Sequence, residues 1–300
     1  MNKILSNKLT IAVFVLPSLL IFFFVAIVPL FITGYYSFFD YNGLKAIVPE
    51  TDFVGLANYV RLFTDDPIFI RSLINTAILI IGSVFLQLPI AFILANRLAK
   101  GIPGEKVFRT IYFIPVVVAA TVIGKLFYYV FSADVGMVNA LVSWLFKIEF
   151  SFNWLTDSRT AFLCVAFAAI WQYVGYHMII MYAGIKAIST DYYEAAMIDG
   201  ATGFKATWNI TIPLLAPVIK TCVILAGVGS VQTYDIVQAM VGSGTHSDTQ
   251  VPAILLWRNL FKGRLVGYGS AQAFFLVAVC LLMSYVITLL FKKAEENAVL

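Results

Sequence analysis

Charge is scarce in this chain. Of its 300 residues only 12% are Asp, Glu, Lys or Arg, while 61% are hydrophobic, and the mean hydropathy of +0.91 lies far outside soluble averages. That balance excludes an ordinary water-soluble domain and suits a chain built for lipid. Basic runs are missing too: the net charge is +4, with Lys and Arg spread in ones and twos, so nucleic-acid binding has no support. Histidine and cysteine are almost absent. His177 and His246 lie far apart, and Cys164, Cys222 and Cys280 each fall inside an apolar run without metal-ligand spacing, which reads as packing rather than redox or metal chemistry. There is no G-x-x-x-x-G-K-[ST] to cradle nucleotide phosphates. Paired carboxylates and a nucleophile-base set are lacking as well, so the chain is not expected to be an enzyme.

What is present is six long apolar runs, at 11–33, 73–95, 110–131, 161–184, 214–241 and 268–291. At 1.5 Å rise per residue each can cross roughly 30 Å of hydrocarbon. The first follows a basic start, as in a signal peptide, but it is long enough to span and carries no small-residue cleavage site, so a retained helix is expected. Backbone groups in lipid must pair internally. The expected fold is therefore all-α integral membrane with six transmembrane helices, kinked at Pro17, Pro29, Pro89 and Pro115.

Counting Lys and Arg between the runs sets an orientation. With the amino end inside, ten fall on inner segments (Lys3, Lys8, Arg97, Lys100, Lys106, Arg109, Lys186, Lys205, Lys292 and Lys293) and eight on the longer outer ones. Both termini are expected in the cytoplasm. The outer segments include amphipathic pieces such as FVGLANYVRLF (53–63).

The second large inner segment reads DYYEAAMIDGATGFKATWNITIPLLAP (191–217). Asp191 and Glu194 stand at N-cap and N3 spacing, so a helix is expected to begin there. Asp199-Gly200 supplies a stop, because Gly adopts the left-handed conformation that closes helix ends. Thr202 can cap a second helix through Phe204, Lys205 and Trp208, ending near Pro213. On physical grounds this helix-turn-helix is either a membrane-surface anchor or an apolar docking element for a partner groove.

Here a resemblance enters. EAAMIDGA (194–201) followed by ITIPLLAP (210–217) resembles the EAA motif of permease subunits of bacterial ABC importers, in the form typical of sugar permeases. FVGLANY (53–59), NTAILI (75–80), GMVNALVSWLF (136–146), IWQYVGYHMIIMYAGIKAI (170–188) and YGSAQAFF (268–275) resemble the same family, so the likeness covers nearly the whole chain. Thr207 stands where the family usually has an aromatic, and VGSGTHSDTQ (241–250) keeps glycines but lacks the family's proline. The resemblance implies a type I ABC importer permease fold (MetI-like), with an amino-terminal helix and extracytoplasmic segment (1–72), a five-helix core (73–291) containing a cytoplasmic coupling loop (189–213), and a tail (292–300). It implies ATPase coupling by Glu194, Ala195, Ala196, Asp199, Gly200 and Ala201. The implied partners are a second permease, two ATP-binding subunits that hold the ATP and Mg²⁺ this chain does not bind, and an extracytoplasmic solute-binding protein. The implied cargo is a di- or oligosaccharide or a related sugar.

Polar residues at membrane depth line a cavity or glue helices together. Gln172, Tyr173 and Tyr176 in the fourth run and Ser230, Thr233 and Tyr234 in the fifth are the candidate pathway residues, since aromatic faces with hydroxyls and amides suit a sugar. His177 reads as a packing histidine and Asp235 as a group near the outer end of its span, while Lys220 can snorkel. Lys125 has no partner in sequence. A rival reading, an ion-coupled secondary transporter, would use Asp235, His177 and Lys125 as a relay and leave the cytoplasmic loop unexplained.

Overall fold

The computed structural model describes residues 8–242 and 247–299; Lys3, His246 and part of the 241–250 signature lie outside them. The described residues are helical apart from turns and one isolated bridge between Phe39 and Phe53. They form two compact units, 1–66 with 256–277, and 67–255 with 278–300.

In the first unit, α1 runs Lys8–Phe22, passes a π turn at Phe23–Ile27 and continues as Val28–Tyr36. Its 26 residues Ile11–Tyr36 are apolar enough to cross a membrane. The amphipathic piece folds as α2 (Ala57–Thr64), burying Leu62 and Asn58. Asn58 Nδ2 donates to the Ser37 and Phe39 carbonyls at 2.9 and 3.0 Å. That satisfies the backbone left open where α1 ends. Close by, a Cβ on Gly267 would stand 1.9 Å from the Phe39 carbonyl oxygen. Tyr268 donates to Asp66 Oδ2 at 2.7 Å, with the Arg61 guanidinium 4.6 Å over its ring.

The second unit holds α3 (Pro67–Ala99), α4 (Glu105–Val117), α5 (Ala120–Val130), α6 (Met137–Phe146) and α7 (Ala161–Lys186). It continues with α8 (Thr190–Ile198), α9 (Phe204–Leu214), α10 (Ala216–Val231) and α11 (Asp235–Val241). α12 (Pro252–Trp257) and α13 (Val266–Val299) have residues in both units.

Among the described residues, four helices are long and apolar enough to cross a membrane singly, and up to six spans result if each bent pair counts as one: α4 with α5 is bent by 94°, and α9 with α10 by 70°. The third run is therefore not the kinked rod expected at Pro115. Its helix stops at Val117, two residues past that proline, and restarts at Ala120. Pro29 and Pro89 do less. Each follows a π turn (Phe23–Ile27, Ser83–Gln87) inside a helix that continues. The wider turn gives room for the carbonyl four residues back that the proline ring would otherwise strike. A third π turn, Thr207–Thr211, precedes Pro213 in the same way.

Two apolar clusters hold the unit. Around Val165, Phe162, Ile123, Phe127, Val237 and Met240, the first half of α7 meets α5 and α11. Around Met178, Met181, Ala91, Leu215 and Cys222, its second half meets α3 and α10. Glycines set the crossings: a Cβ at Gly175 would lie 1.8 Å from the Tyr112 carbonyl oxygen of α4, and one at Gly124 would lie 2.5 Å from the Ala239 Cβ of α11.

Candidate functional site

At one end of the second unit, the loop after α7 forms a corner. α8 starts one residue earlier than Asp191, and its N-cap is Ser189, whose side chain accepts from the Asp191 backbone N–H at 3.3 Å. The capping pair of Asp191 and Glu194 therefore does not form. Asp191 lies in the first turn, where its carboxylate suits the helix dipole, and Glu194 lies past it. The helix ends as the sequence predicts. Gly200 has φ +73°, its N–H donates to the Met197 carbonyl at 3.1 Å and the Ala201 N–H to the Ala196 carbonyl at 2.8 Å, the paired bonds of a Schellman motif. A second left-handed glycine, Gly203 at φ +59°, starts α9 with no side-chain cap, so Thr202 contributes its carbonyl (to Lys205 N–H, 3.1 Å) rather than its hydroxyl.

Of the six coupling candidates, Glu194, Ala195, Asp199 and Gly200 are exposed, Ala201 is half-buried and Ala196 is buried. Ala196 thus packs within its own chain instead of offering a surface. The apolar exposure belongs to Tyr192, Met197, Ile198 (88% exposed), Phe204 and Trp208, the last two stacked at 6.1 Å. On its inner side the corner is fixed by Tyr193 to Thr211 (3.1 Å) and Asn96 to Thr207 (3.3 Å).

Further along the same unit, a cavity of about 350 Å³ opens between α3, α7, α10 and α11, and all six pathway candidates, Gln172, Tyr173, Tyr176, Ser230, Thr233 and Tyr234, line it. Its floor is buried: Gln172 is 2% exposed, His177 3% and Ser230 6%. Asp235 and Gln232 sit on the exposed rim. Ser230 also acts as helix glue, donating to the Ala226 carbonyl at 2.8 Å and lying 3.4 Å from the Ser83 hydroxyl. Thr233 donates to the Gly229 carbonyl at 3.0 Å. Gln172 Nε2 reaches the Pro115 and Val118 carbonyls at 3.4 and 3.3 Å, the backbone opened by the α4–α5 break. Its Oε1, with His177 Nδ1, is buried without a hydrogen-bond partner. Such an atom costs about 1–3 kcal/mol until something donates or accepts there.

Ser83 and Gln87, four residues apart on the cavity side of α3, belong to the same wall. Sequence reasoning missed them, although a Ser and a Gln one turn apart in an apolar run are the signal that picked out the α7 residues. Among the described residues no cluster of His, Cys, Asp or Glu could hold a metal ion.

Taken together, these features define a membrane-spanning helical chain with a polar cavity between its helices and an apolar corner at one end. Residues 87–296 match the family of the binding-protein-dependent transport system inner membrane component, to which the chain belongs. It is 31% identical over 295 residues to a probable ABC transporter permease, YurN, of Bacillus subtilis (strain 168), covering 97% of this chain and 99% of that one. It is 30% identical over 282 residues to the diacetylchitobiose uptake system permease NgcF of Streptomyces coelicolor, covering 90% and 79%. In fold it is similar to a chain of a bacterial alginate ABC transporter solved in complex with an alginate pentasaccharide-bound periplasmic protein. The TM-score is 0.81, the identity 20%, and the match covers 98% of this chain and 97% of that one. The chain is a transport permease, and its fold is that of ABC importer permeases.

Proposed function

We propose that the chain is the sugar-conducting permease subunit of an ATP-driven, binding-protein-dependent importer. It pairs with a second permease around a shared pathway, receives a di- or oligosaccharide or related sugar from an extracytoplasmic solute-binding protein, and couples through α8 and α9 to two ATPase subunits. Those subunits bind the ATP and Mg²⁺; this chain binds neither. Both termini lie in the cytoplasm.

The observation that carries the reading is the corner at Gly200 within a chain of this family. It leaves Tyr192, Met197 and Ile198 exposed, and an exposed apolar patch on a short helix suits a groove on a partner. The cavity supports the cargo: tyrosine rings for C–H faces, with unpartnered Gln172 and His177 atoms to meet hydroxyls. One relative named for diacetylchitobiose uptake and another named for multiple sugar-binding transport favour a sugar as cargo. An ion-coupled transporter has no use for the corner.

The test is assembly. Purified ATPase subunit should co-elute with the permease pair, and binding protein loaded with sugar should raise ATP hydrolysis in reconstituted vesicles. An intact permease pair that retains no ATPase subunit would overturn the reading.

A further inference from the structure

Lys125 lies in the third apolar run, where an ammonium needs a counter-charge, a carbonyl or water. The structure puts it on α5, which turns 94° away from α4. α4 begins at the corner end of the unit, where Glu105 accepts a hydrogen bond from Tyr182 near the end of α7. α4 ends against the middle of α7, where Gln172 Nε2 reaches the Pro115 and Val118 carbonyls, and α5 leads from there along the first half of α7, with Phe127 meeting Phe167 and Trp171. It lies in the half of the unit away from the corner, from which a lysine can snorkel to the headgroups.

One face of α5 is already occupied, with Ile123, Gly124 and Phe127 buried. The other carries Lys125 into an open groove of about 550 Å³, walled by Val122, Leu126, Tyr129, Val130, Val135 and Met137. The lysine is the one charged residue in that lining. Its ammonium stands 5.1 Å over the Tyr128 ring, and no ion pair involves it among the described residues.

We propose that this groove holds an anionic phospholipid of the leaflet opposite the α8–α9 corner, its phosphate on Lys125 Nζ and an acyl chain along Val122, Leu126 and Met137. An apolar trough with a single cation is complementary to a molecule with an apolar chain and a single anion. Lysine binds phosphate as a point charge, without the paired geometry a fixed carboxylate favours. The groove also continues into a lipid-like surface. Val135 and Met137 lead into α6, whose Leu141, Trp144, Leu145 and Phe146 are all exposed. The polar side of α6 is closed internally: Asn139 donates to the Phe152 carbonyl at 3.0 Å and accepts from Trp154 Nε1 at 2.7 Å. What remains is an exposed apolar face flanked by Tyr128, Tyr129 and Trp144, ring types that collect at membrane interfaces. This inference goes beyond the sugar reading and does not depend on it.

The experiment is native mass spectrometry of the full chain in detergent, with phosphatidylglycerol and phosphatidylcholine of matched acyl chains as probes. One lysine near an anionic surface corresponds to about a fivefold preference, so wild type should retain phosphatidylglycerol about fivefold better, Lys125→Arg should keep the preference and Lys125→Gln should lose it. A photo-crosslinker at Met137 in the reconstituted transporter should label lipid. Equal retention of the two lipids by wild type, an unchanged preference in Lys125→Gln, or a Met137 adduct to a second protein would each overturn the proposal.

Discussion

Gly200 offers a substitution series in which backbone and bulk separate. A Cβ built there meets nothing within 4 Å, so added size costs no contact in the chain itself. The remaining cost is φ +73°: about 1–2 kcal/mol for an ordinary L residue in the left-handed region, less for Asn, which visits it readily, and more for a β-branched side chain. If the corner opens to relieve that strain, it also gives up the two closing bonds at 3.1 and 2.8 Å, each worth about 1 kcal/mol. A penalty of about 1–2 kcal/mol lowers the population of the closed corner about 5- to 30-fold relative to open forms. Coupling should therefore fall in the order Gly, Asn, Ala, Val, although Asn is larger than Ala. The assay is ATP hydrolysis stimulated by loaded binding protein, measured with sugar uptake in the same reconstituted vesicles. If Gly200→Asn is as damaging as Gly200→Val in an intact complex, a partner surface is rejecting bulk at this position and the backbone argument fails. If both behave as wild type, the corner does not transmit force.

Tyr173→Ala and Tyr176→Ala should each reduce sugar uptake while the assembled transporter and its basal ATP hydrolysis persist, because ring area is lost from the cavity wall and not from the corner; unchanged uptake kinetics for both would return these side chains to helix packing. Gly175→Ala should prevent stable assembly, since its methyl would sit 1.8 Å from the Tyr112 carbonyl oxygen and backbone cannot rotate aside as a side chain can. Overpacking of this kind costs about 1–3 kcal/mol or more, and a normal yield of monodisperse complex would show that α4 and α7 cross less tightly. Cysteines placed at residues 8 and 293 should be reached by membrane-impermeant reagent only after the cells are opened; labelling of intact cells would invert the topology.

The spans were legible because hydrocarbon thickness leaves a long apolar run little choice, and the cavity residues were legible because a polar group at that depth has few uses. The bends were less so. Pro115 and Pro89 look alike in sequence, yet one precedes a 94° break and the other lies in an unbroken helix. The difference is set by what packs alongside, with Gln172 supplying donors to the carbonyls opened beyond Pro115 while a π turn absorbs Pro89. At the corner, Asp191 and Glu194 have the spacing of a capping pair, but Ser189 also accepts a hydrogen bond and lies two residues upstream, and spacing alone does not rank the two. Ala196 has the composition of a contact surface, and only its burial in the folded corner shows that it faces inward.

The two roots of the loop touch. A Cβ at Gly184, near the end of α7, would stand 2.7 Å from Leu215 Cδ1 and 2.9 Å from Val218 Cγ2, at the elbow where α9 gives way to α10. The chain between them leaves this point and comes back to it, with one further hold on α3 where Asn96 meets Thr207. In the coupling we propose, a load at the tip of the loop would reach α7 and α10 together, at the Gly184–Leu215 crossing. A substitution near the tip would leave that crossing intact, whereas a larger residue at Gly184 would push the two roots apart and shift the whole loop.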